Sequence, residues 1–259
     1  MARFTDRVAI VTGASTGLGP VMSKMLADEG AKVVLAARRK ELVEKAAAEI
    51  GDAAIALQAD VTKEDDVAAM VDAAMSRWGK VDIMMNNAAA PGMDKYIWEQ
   101  TLENWNATIA IDLTAAMLCS REVLRRSMME RKTGAIINFS STAGWNGLPR
   151  KSHYTAAKAG LRALTKVIAK EVGPYGIRCN CVVPGQIDTE LLRNWIKRVA
   201  GEQNISYDEM RKRSMADAVL GTMSTTEDVA NLALFLASDA ARTITGQSVN
   251  VDAGAIMVG

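Results

Sequence analysis

The chain has 259 residues, of which 49% are hydrophobic and 24% are charged, with 31 Lys and Arg against 30 Asp and Glu. This length can bury a full core, and the net charge of +1 gives no electrostatic footprint for nucleic acid or an anionic membrane surface. No apolar run approaches about 18 residues, so we predict neither a membrane span nor a membrane partner. The three cysteines lack metal or redox spacing, which predicts a soluble protein of the reducing cytoplasm, with free thiols and no metal site.

The first predicted elements are a strand at residues 7–12 and a helix that begins near Gly19. The turn between them reads GASTGLG; its glycines let the backbone approach a pyrophosphate, and the helix offers free N–H groups. A nucleoside-triphosphate loop would need Gly-Lys-Ser/Thr here, whereas Pro20 follows Gly19. The pattern therefore predicts a dinucleotide site, with a plain tight turn as the alternative. The loop residues of this site are Gly13, Ser15, Thr16, Gly17, Leu18 and Gly19.

The second predicted strand is Lys32–Ala37, and Arg38 and Arg39 follow it directly. In a dinucleotide fold the end of this strand faces the adenosine ribose, where an acid binds the 2′-hydroxyl and an arginine accommodates a 2′-phosphate. Because two arginines and no acid follow the strand, we predict NADP(H) in preference to NAD(H), with NAD(H) as the second candidate. The alternative is a solvated charge cluster at the start of the next helix.

Strand and helix patterns alternate along the rest of the chain. Further strands are predicted at residues 53–59, 81–85, 135–140, 177–183 and 248–251, and helices after residue 63, at 99–131, at 153–172 and at 226–238. This alternation predicts the α/β class, as one doubly wound domain over 1–259 with a parallel sheet covered by helices on both faces. In the helix at 99–131 we expect one apolar stripe, formed by Trp105, Ile109, Leu113, Met117 and Leu124.

Residues 190–224 interrupt the alternation with a helical, charged sequence that follows the sixth predicted strand. Insertions at the carboxyl end of a strand are often lids, so we predict a substrate lid here. A surface excursion with no gating role is the alternative. Candidates for the wall of an apolar pocket, or else for core and lid packing, are Met93, Trp98, Trp145 and Trp195.

Ser141, Tyr154 and Lys158 carry the chemistry that we predict for this chain. Tyr154 and Lys158 stand four residues apart on one predicted helix and therefore share a face. Phenols exchange protons poorly at neutral pH because their pKa is about 10, and a nearby ammonium favours the phenolate. Ser141, at the carboxyl end of the fifth predicted strand, can hold the oxygen that the tyrosine protonates. The single histidine, His153, is predicted to point off the face of Tyr154 and to be structural or incidental.

Together these motifs resemble those of the short-chain dehydrogenase/reductase family. They occur in the family's order over residues 7–254, as Thr12-Gly13-x-x-x-Gly17-x-Gly19, Asn86-Asn87-Ala88-Ala89, Ser141 and Tyr154-x-x-x-Lys158. The resemblance implies a Rossmann-type sheet of about seven parallel strands, a nicotinamide cofactor, and a homotetramer or homodimer that packs its two long helices against a neighbour. It assigns catalysis to Ser141, Tyr154 and Lys158. Cofactor contacts that it implies are Asp60, Val61, Asn87, Ala88, Tyr154, Lys158, Pro184, Gly185, Ile187 and Thr189.

Two positions depart from the family pattern. Asp112 stands where the family has an asparagine that helps to hold a water leading to the lysine, largely through its backbone carbonyl. We expect Asp112 to keep that catalytic role, since Asp and Asn both adapt to local backbone distortion, with an altered proton path as the alternative. Ala89 replaces the last glycine of Asn-Asn-Ala-Gly, and its methyl group is expected to tighten the cofactor groove without preventing binding.

These residues predict an oxidoreductase that moves a hydride between NADP(H) and a small-molecule carbonyl or alcohol substrate. Tyr154 is the predicted acid and base, Ser141 holds the substrate oxygen, and Lys158 supports the tyrosine and the cofactor ribose. Two other functions are open at this stage: an NAD-dependent alcohol dehydrogenase, and a non-catalytic nucleotide-binding protein on the same fold. Dehydration or epimerisation on this scaffold is a further alternative.

Overall fold

A sheet of seven strands organises the chain in the computed structural model, which describes residues 2–257. The strands are β1 (Val8–Thr12), β2 (Lys32–Ala37), β3 (Ala54–Gln58), β4 (Ile83–Asn86), β5 (Gly134–Phe139), β6 (Ile177–Pro184) and β7 (Ser248–Val251). Every pairing between neighbours is parallel, and the order across the sheet is β3-β2-β1-β4-β5-β6-β7. The predicted parallel α/β sheet is confirmed.

Helices cover the sheet on both faces. They are α1 (Leu18–Asp28), α2 (Lys40–Ile50), α3 (Glu64–Trp78), α4 (Leu102–Ile109), α5 (Ala115–Val123), α6 (Met129–Arg131), α7 (Ala143–Asn146), α8 (Ser152–Val172), α9 (Glu190–Gln203), α10 (Tyr207–Ser214) and α11 (Thr226–Ala237). Alternate residues of the fully buried β1 point to opposite faces. Ala9 and Val11 therefore join a core with α1, α2 and α11, whereas Val8 and Ile10 join one with α3, α5 and α8.

The strand order reverses beside β1, which lies between β2 and β4. In open α/β sheets a ligand binds in the crevice outside the carboxyl ends of the strands at such a reversal. The glycine loop follows β1, and the sequence Asn86-Asn87-Ala88-Ala89 begins at the end of β4. The topology therefore brings two of the predicted cofactor motifs to one crevice of a Rossmann-type fold.

The long helical stretch from α4 to α6 is interrupted by two π-helical turns, at Ala110–Thr114 and Leu124–Met128. In the predicted apolar stripe Met117 is exposed, whereas Ile111, Ala115 and Leu118, which lie outside that stripe, are buried against the sheet. Each π turn adds to the number of residues in the helical repeat. Every added residue rotates the part of the helix that follows it by about 100° about the helix axis. A stripe counted with a regular helical period therefore falls on the wrong face.

Residues 190–224 form α9, α10 and an irregular return to Ser224. They have a small apolar core of their own, formed by Ile196, Ala200, Met210 and Met223. Their end is tied to the loop after β7, where the amide of Leu220 donates to the carbonyl of Ala253. This arrangement agrees with an insertion, while its role as a lid and the extent 1–259 of the domain stay predictions; residues 1, 258 and 259 of that range lie outside the described part. Between residues 2 and 257, no helix has the length and apolar character needed to cross a membrane.

Candidate active site

The glycine loop joins β1 to α1 in the conformation that a dinucleotide site needs. Gly13 and Gly17 have φ angles of 66° and 67°, in the left-handed region that favours glycine. A Cβ atom on Gly13 would lie 2.9 Å from the Cα atom of Ala88, and one on Gly19 would lie 2.4 Å from the carbonyl oxygen of Gly13. No side chain caps the first turn of α1, so its N–H groups face the crevice unshielded. The loop thus fits a pyrophosphate.

Asn87 and Ala88 are held directly against the glycine loop. Both backbone N–H groups donate to Oγ1 of Thr12, at 3.1 Å each, and Nδ2 of Asn87 donates to the carbonyl of Thr12 at 2.9 Å. The side chain of Asn87 therefore continues the hydrogen bonding between β1 and β4 beyond the last paired residues of these strands. The predicted cofactor residues from these two motifs form one continuous surface at the strand-order reversal.

Arg39 and Arg38, which follow β2, occupy different environments. The Nη2 atom of Arg39 donates to Oγ of Ser15 at 2.9 Å and to Oγ1 of Thr16 at 2.6 Å, so this side chain lies across the glycine loop. Arg38 is exposed and lies near Asp60 at the end of β3. Partial burial would raise the pKa of Asp60, but hydrogen bonds from Thr62 and the charge of Arg38 outweigh it and the pKa is lowered. The arginines thus border the crevice that the adenosine end would enter.

The segment after β6 carries the last predicted cofactor contacts. Gly185 packs on the loop after β7, where an added Cβ atom would lie 2.7 Å from Cβ of Asp252. Ile187 pairs with Ser224, and Oγ1 of Thr189 accepts a hydrogen bond from the amide of Leu192 at 3.3 Å, capping α9. Pro184, Gly185, Ile187 and Thr189 therefore link the carboxyl end of the sheet to the 190–224 insertion.

Ser141 follows β5, and Tyr154 and Lys158 lie on α8, which packs against the end of that strand. Nζ of Lys158 lies 5.5 Å from the centre of the Tyr154 ring and donates to the carbonyl of Phe139 at 3.0 Å. Lys158 is only 3% exposed, whereas Tyr154 and Ser141 are half-buried. Oγ of Ser140 donates to the carbonyl of Lys158 at 2.7 Å, which fixes α8 against the strand end that presents Ser141. A buried amine is thus directed at the tyrosine from the interior.

Asp112 lies behind this amine, in the first π-helical turn. Its Oδ1 atom accepts a hydrogen bond of 2.7 Å from the amide of Ala90, and its Oδ2 atom lies 3.7 Å from Nζ of Lys158. Burial raises the pKa of the Asp112 carboxyl, against the opposing charge of Lys158 and the Ala90 N–H. A cavity of about 10 Å³ between Thr12, Val61 and Asp112 lies below the crevice. The carboxylate thus links the lysine to the segment that follows β4.

His153 is fully buried, and both of its ring nitrogens are paired. Nε2 lies 3.1 Å from the carbonyl of Pro91, and Nδ1 lies 2.6 Å from Nε2 of Gln100. The sequence predicted this residue to be structural or incidental and did not indicate its partner. Gln100 lies 53 residues away in the sequence, just before α4. One sequence feature could have indicated this partner: Gln100 and Asn104 are two amides four residues apart, on one side of the start of α4.

The pocket-wall candidates divide into two groups. Trp145 donates from Nε1 to Oδ1 of Asn250 at 3.2 Å and stacks on the guanidinium of Arg162, so it packs toward β7. Trp98 is 77% exposed and stacks on Tyr96. The predicted alternative that Trp98 packs in the core is therefore wrong. Met93, at 59% exposure, also faces outward from the segment after β4.

Comparison with known proteins agrees with this geometry. A family model described as enoyl-(acyl carrier protein) reductase matches residues 13–255. The chain is 36% identical to a 3-oxoacyl-[acyl-carrier-protein] reductase of Synechocystis sp., over 99% of this chain and 100% of that protein. It is 38% identical to a cis-4-hydroxycyclohexanecarboxylate dehydrogenase of Sinomonas cyclohexanicum, over 97% of each. It is 34% identical to a 3-oxoacyl-[acyl-carrier-protein] reductase of Chlamydia muridarum, over 97% and 98%.

The match extends over nearly the whole chain, and the relatives have nearly the same length. The sequence motifs, the parallel sheet and the relatives all lead to the same assignment. The chain belongs to the short-chain dehydrogenase/reductase family, as an oxidoreductase that acts on carbonyl and alcohol groups with a nicotinamide cofactor.

Proposed function

We propose that this protein is an NADP(H)-dependent oxidoreductase that interconverts a ketone or aldehyde with the corresponding alcohol, with Tyr154 as the acid and base. The observation that carries the proposal is the buried amine of Lys158, fixed at the end of β5 with Nζ 5.5 Å from the centre of the Tyr154 ring. This geometry places a buried cation beside the hydroxyl-bearing ring that would exchange a proton with the substrate oxygen.

Each residue of the cluster has a separate task in this proposal. When bound, the nicotinamide would supply a hydride to the carbonyl carbon in reduction or take it up in oxidation. Tyr154 gives its hydroxyl proton to the substrate oxygen in reduction and removes that proton in oxidation. Ser141 donates a hydrogen bond to the same oxygen and favours the charge that develops there. Lys158 holds the cofactor ribose, and Asp112 holds Lys158 in place from the interior.

The proposed preference for NADP(H) is based on the two arginines. Arg39 is drawn over the glycine loop by Ser15 and Thr16, while Arg38 is exposed at the edge of the crevice. No acid follows β2 to bind a ribose 2′-hydroxyl, whereas two guanidinium groups suit a 2′-phosphate. The other proposed cofactor contacts are Gly13, Gly17, Leu18, Gly19, Asp60, Val61, Asn87, Ala88, Pro184, Gly185, Ile187 and Thr189.

We propose a substrate with an apolar body next to its carbonyl. Met93, Leu148 and Leu191 follow β4, β5 and β6 respectively, and they are 59%, 49% and 73% exposed. Large apolar side chains exposed around one end of a sheet favour an apolar ligand over a sugar-like one. The relatives named for acyl chains and for a cyclohexane ring are consistent with such a body.

The lid and the assembly complete the proposal. Residues 190–224 would cover the substrate, because they rise from the end of β6 and return to the sheet at Ser224. A homotetramer or homodimer would use the helices at residues 102–131 and 152–172, which expose Met117 and Val167. The three cysteines are free and buried, which agrees with a reducing cytoplasm.

The experiment that tests this function follows the absorbance of the reduced nicotinamide with NADPH or NADH and a panel of ketones and aldehydes. The panel varies the apolar body from acyclic chains to rings. We expect turnover with at least one ketone and a kcat/KM at least about tenfold higher with NADPH than with NADH. A preference for NADH would identify the second candidate, an NAD-dependent dehydrogenase. Cofactor binding without any turnover would favour the non-catalytic alternative.

A further inference from the structure

The buried ring of His153 lies at the centre of a hydrogen-bond network between α8 and the segment that follows β4. His153 directly precedes Tyr154 in the first turn of α8 and is 0% exposed. Its partners are the carbonyl of Pro91 on one side and the amide of Gln100 on the other. The network therefore joins the residue next to the proposed acid to the wall of the proposed site.

The backbone of Met93 determines how the side-chain amides of Asn104 and Gln100 are oriented, and so which of their atoms donate. The N–H of Met93 can only donate, so Oδ1 of Asn104 accepts it, at 2.9 Å. Nδ2 of Asn104 must then donate to the carbonyl of Met93 at 3.2 Å and to Oε1 of Gln100 at 2.8 Å. This leaves Nε2 of Gln100 as the donor to the ring, at 2.6 Å. Nδ1 of His153 is consequently an acceptor and carries no proton.

The other ring nitrogen must carry the proton. The carbonyl of Pro91 can only accept, so Nε2 of His153 donates to it, at 3.1 Å. Gly92 packs against the same ring edge with a φ angle of 62°, and a Cβ atom there would lie 2.5 Å from Nε2. On the other side of the segment, the amide of Ala90 donates to Asp112. Residues 90–93 thus lie between His153 and the carboxylate that adjoins Lys158, and Nζ of Lys151 also donates to the carbonyls of Pro91 and Gly92.

We propose that His153 is a positioning residue: its neutral ring, with the proton on Nε2, orders the amides of Gln100 and Asn104 that hold Met93, and a second proton on Nδ1 disrupts this order and lowers activity at low pH. A proton on Nδ1 would face the amide hydrogens of Gln100. Turning that amide over would point its Nε2 at Nδ2 of Asn104, so the hydrogen bond that supports Asn104 beside Met93 would be lost. Only the link from this network to the reaction rate rests on the proposed function.

The charged groups around the ring determine the pH at which it takes up the second proton. Burial is the largest influence and lowers the pKa of His153, and the charge of Lys151 acts in the same direction. The Pro91 carbonyl, Asp112 and Asp94 oppose that shift without cancelling it. On its other side the ring meets the uncharged amide of Gln100, which is bonded in turn to the amide of Asn104 in α4. The neutral ring therefore contributes its full stability above the usual pKa of about 6.5, and this contribution is lost as pH falls toward the lowered value.

The first test observes the ring itself. His153 is the chain's single histidine, so long-range ¹H–¹⁵N spectra of protein without a histidine tag report on it alone. We expect the Nε2–H tautomer at neutral pH and a protonation midpoint below that of a free histidine. In Gln100→Glu the new carboxylate accepts a proton from Nδ1, so the midpoint should rise by at least about one pH unit. A ring with its proton on Nδ1, or a midpoint unmoved by Gln100→Glu, would overturn the proposal.

The second test measures what the ring holds. In Gln100→Glu the protonated ring keeps both bonds, so the acid limb of kcat/KM should move to lower pH. Amide hydrogen exchange in residues 88–97, at a pH below the parent's ring midpoint, should be at least tenfold faster in the parent than in Gln100→Glu. Gln247→Glu adds the same charge at an exposed residue before β7 and should behave as the parent. Equal exchange in the parent and Gln100→Glu would overturn the proposal even for a chain without turnover, whereas missing turnover alone would refute only the proposed function.

Discussion

The ion pair between Asp112 and Lys158 makes a quantitative prediction about stability. Both side chains are buried, at 1% and 3% exposure, and the two charges are 3.7 Å apart. We expect the variants Asp112→Asn and Lys158→Met to be strongly non-additive. A double-mutant cycle, with each free energy of unfolding measured in urea at one protein concentration, isolates the interaction between the two side chains.

The magnitude follows from the distance. Unit charges 3.7 Å apart attract by about 4.5 kcal/mol at an effective dielectric constant of about 20. In Lys158→Met the stranded carboxyl can take up a proton, because burial already raises its pKa, and this limits the loss. We therefore expect a coupling free energy of about 2 kcal/mol. Asp112→Asn alone should change the free energy of unfolding by less than about 1 kcal/mol, since the amide oxygen still accepts from Ala90.

An exposed pair supplies the matched control. Lys24 and Asp28 approach to 2.8 Å, but both side chains are more than half exposed, so their coupling should stay below about 0.5 kcal/mol. The pH dependence gives a second readout. Because the pKa of Asp112 is raised by burial, the parent should lose stability as pH rises from about 4 through that pKa, and Asp112→Asn should not. Additive effects at Asp112 and Lys158, within about 0.5 kcal/mol, would refute this reasoning.

Three further predictions follow from single contacts. Gly13→Ala should weaken binding of NADPH, measured by fluorescence titration, because its Cβ atom would meet Ala88 at 2.9 Å; Gly79→Ala, with a similar φ angle of 73° but open space, should bind as the parent does. Arg38→Asp should lower the ratio of kcat/KM for NADPH over NADH by at least about tenfold. An unchanged ratio would show that Arg38 does not recognise the 2′-phosphate. Burial raises the pKa of Cys119 to about 12, so alkylation at mildly alkaline pH should be slow in the native protein and fast after unfolding.

The sheet and the order of the site motifs could be predicted because each is encoded locally. The run Val8–Thr12 is apolar and β-branched, and the glycines after it mark a turn that only a few folds use. The spacing of Tyr154 and Lys158 places them on one helix face without any knowledge of the rest of the chain. These signals need only residues that are close in sequence, and the parallel arrangement then follows from the alternation of elements.

The π turns and the His153 network lay beyond the sequence for a physical reason. A π turn leaves the same apolar residues in the sequence and changes only which face they occupy. The regular period therefore assigned the exposed Met117 to the apolar stripe and left out the buried Ile111. His153 is paired with Gln100 and Pro91, whose positions depend on how the segment after β4 packs on α8. Such long-range polar contacts have no periodic signature.

The central claim is that the hydroxyl of Tyr154 exchanges a proton with the substrate oxygen. Single-turnover kinetics of Tyr154→Phe at saturating NADPH, combined with a titration of NADPH binding, tests it most directly. We expect a folded variant with unchanged NADPH affinity and a rate of hydride transfer reduced at least about a hundredfold. A rate close to that of the parent, with NADPH binding intact, would contradict it.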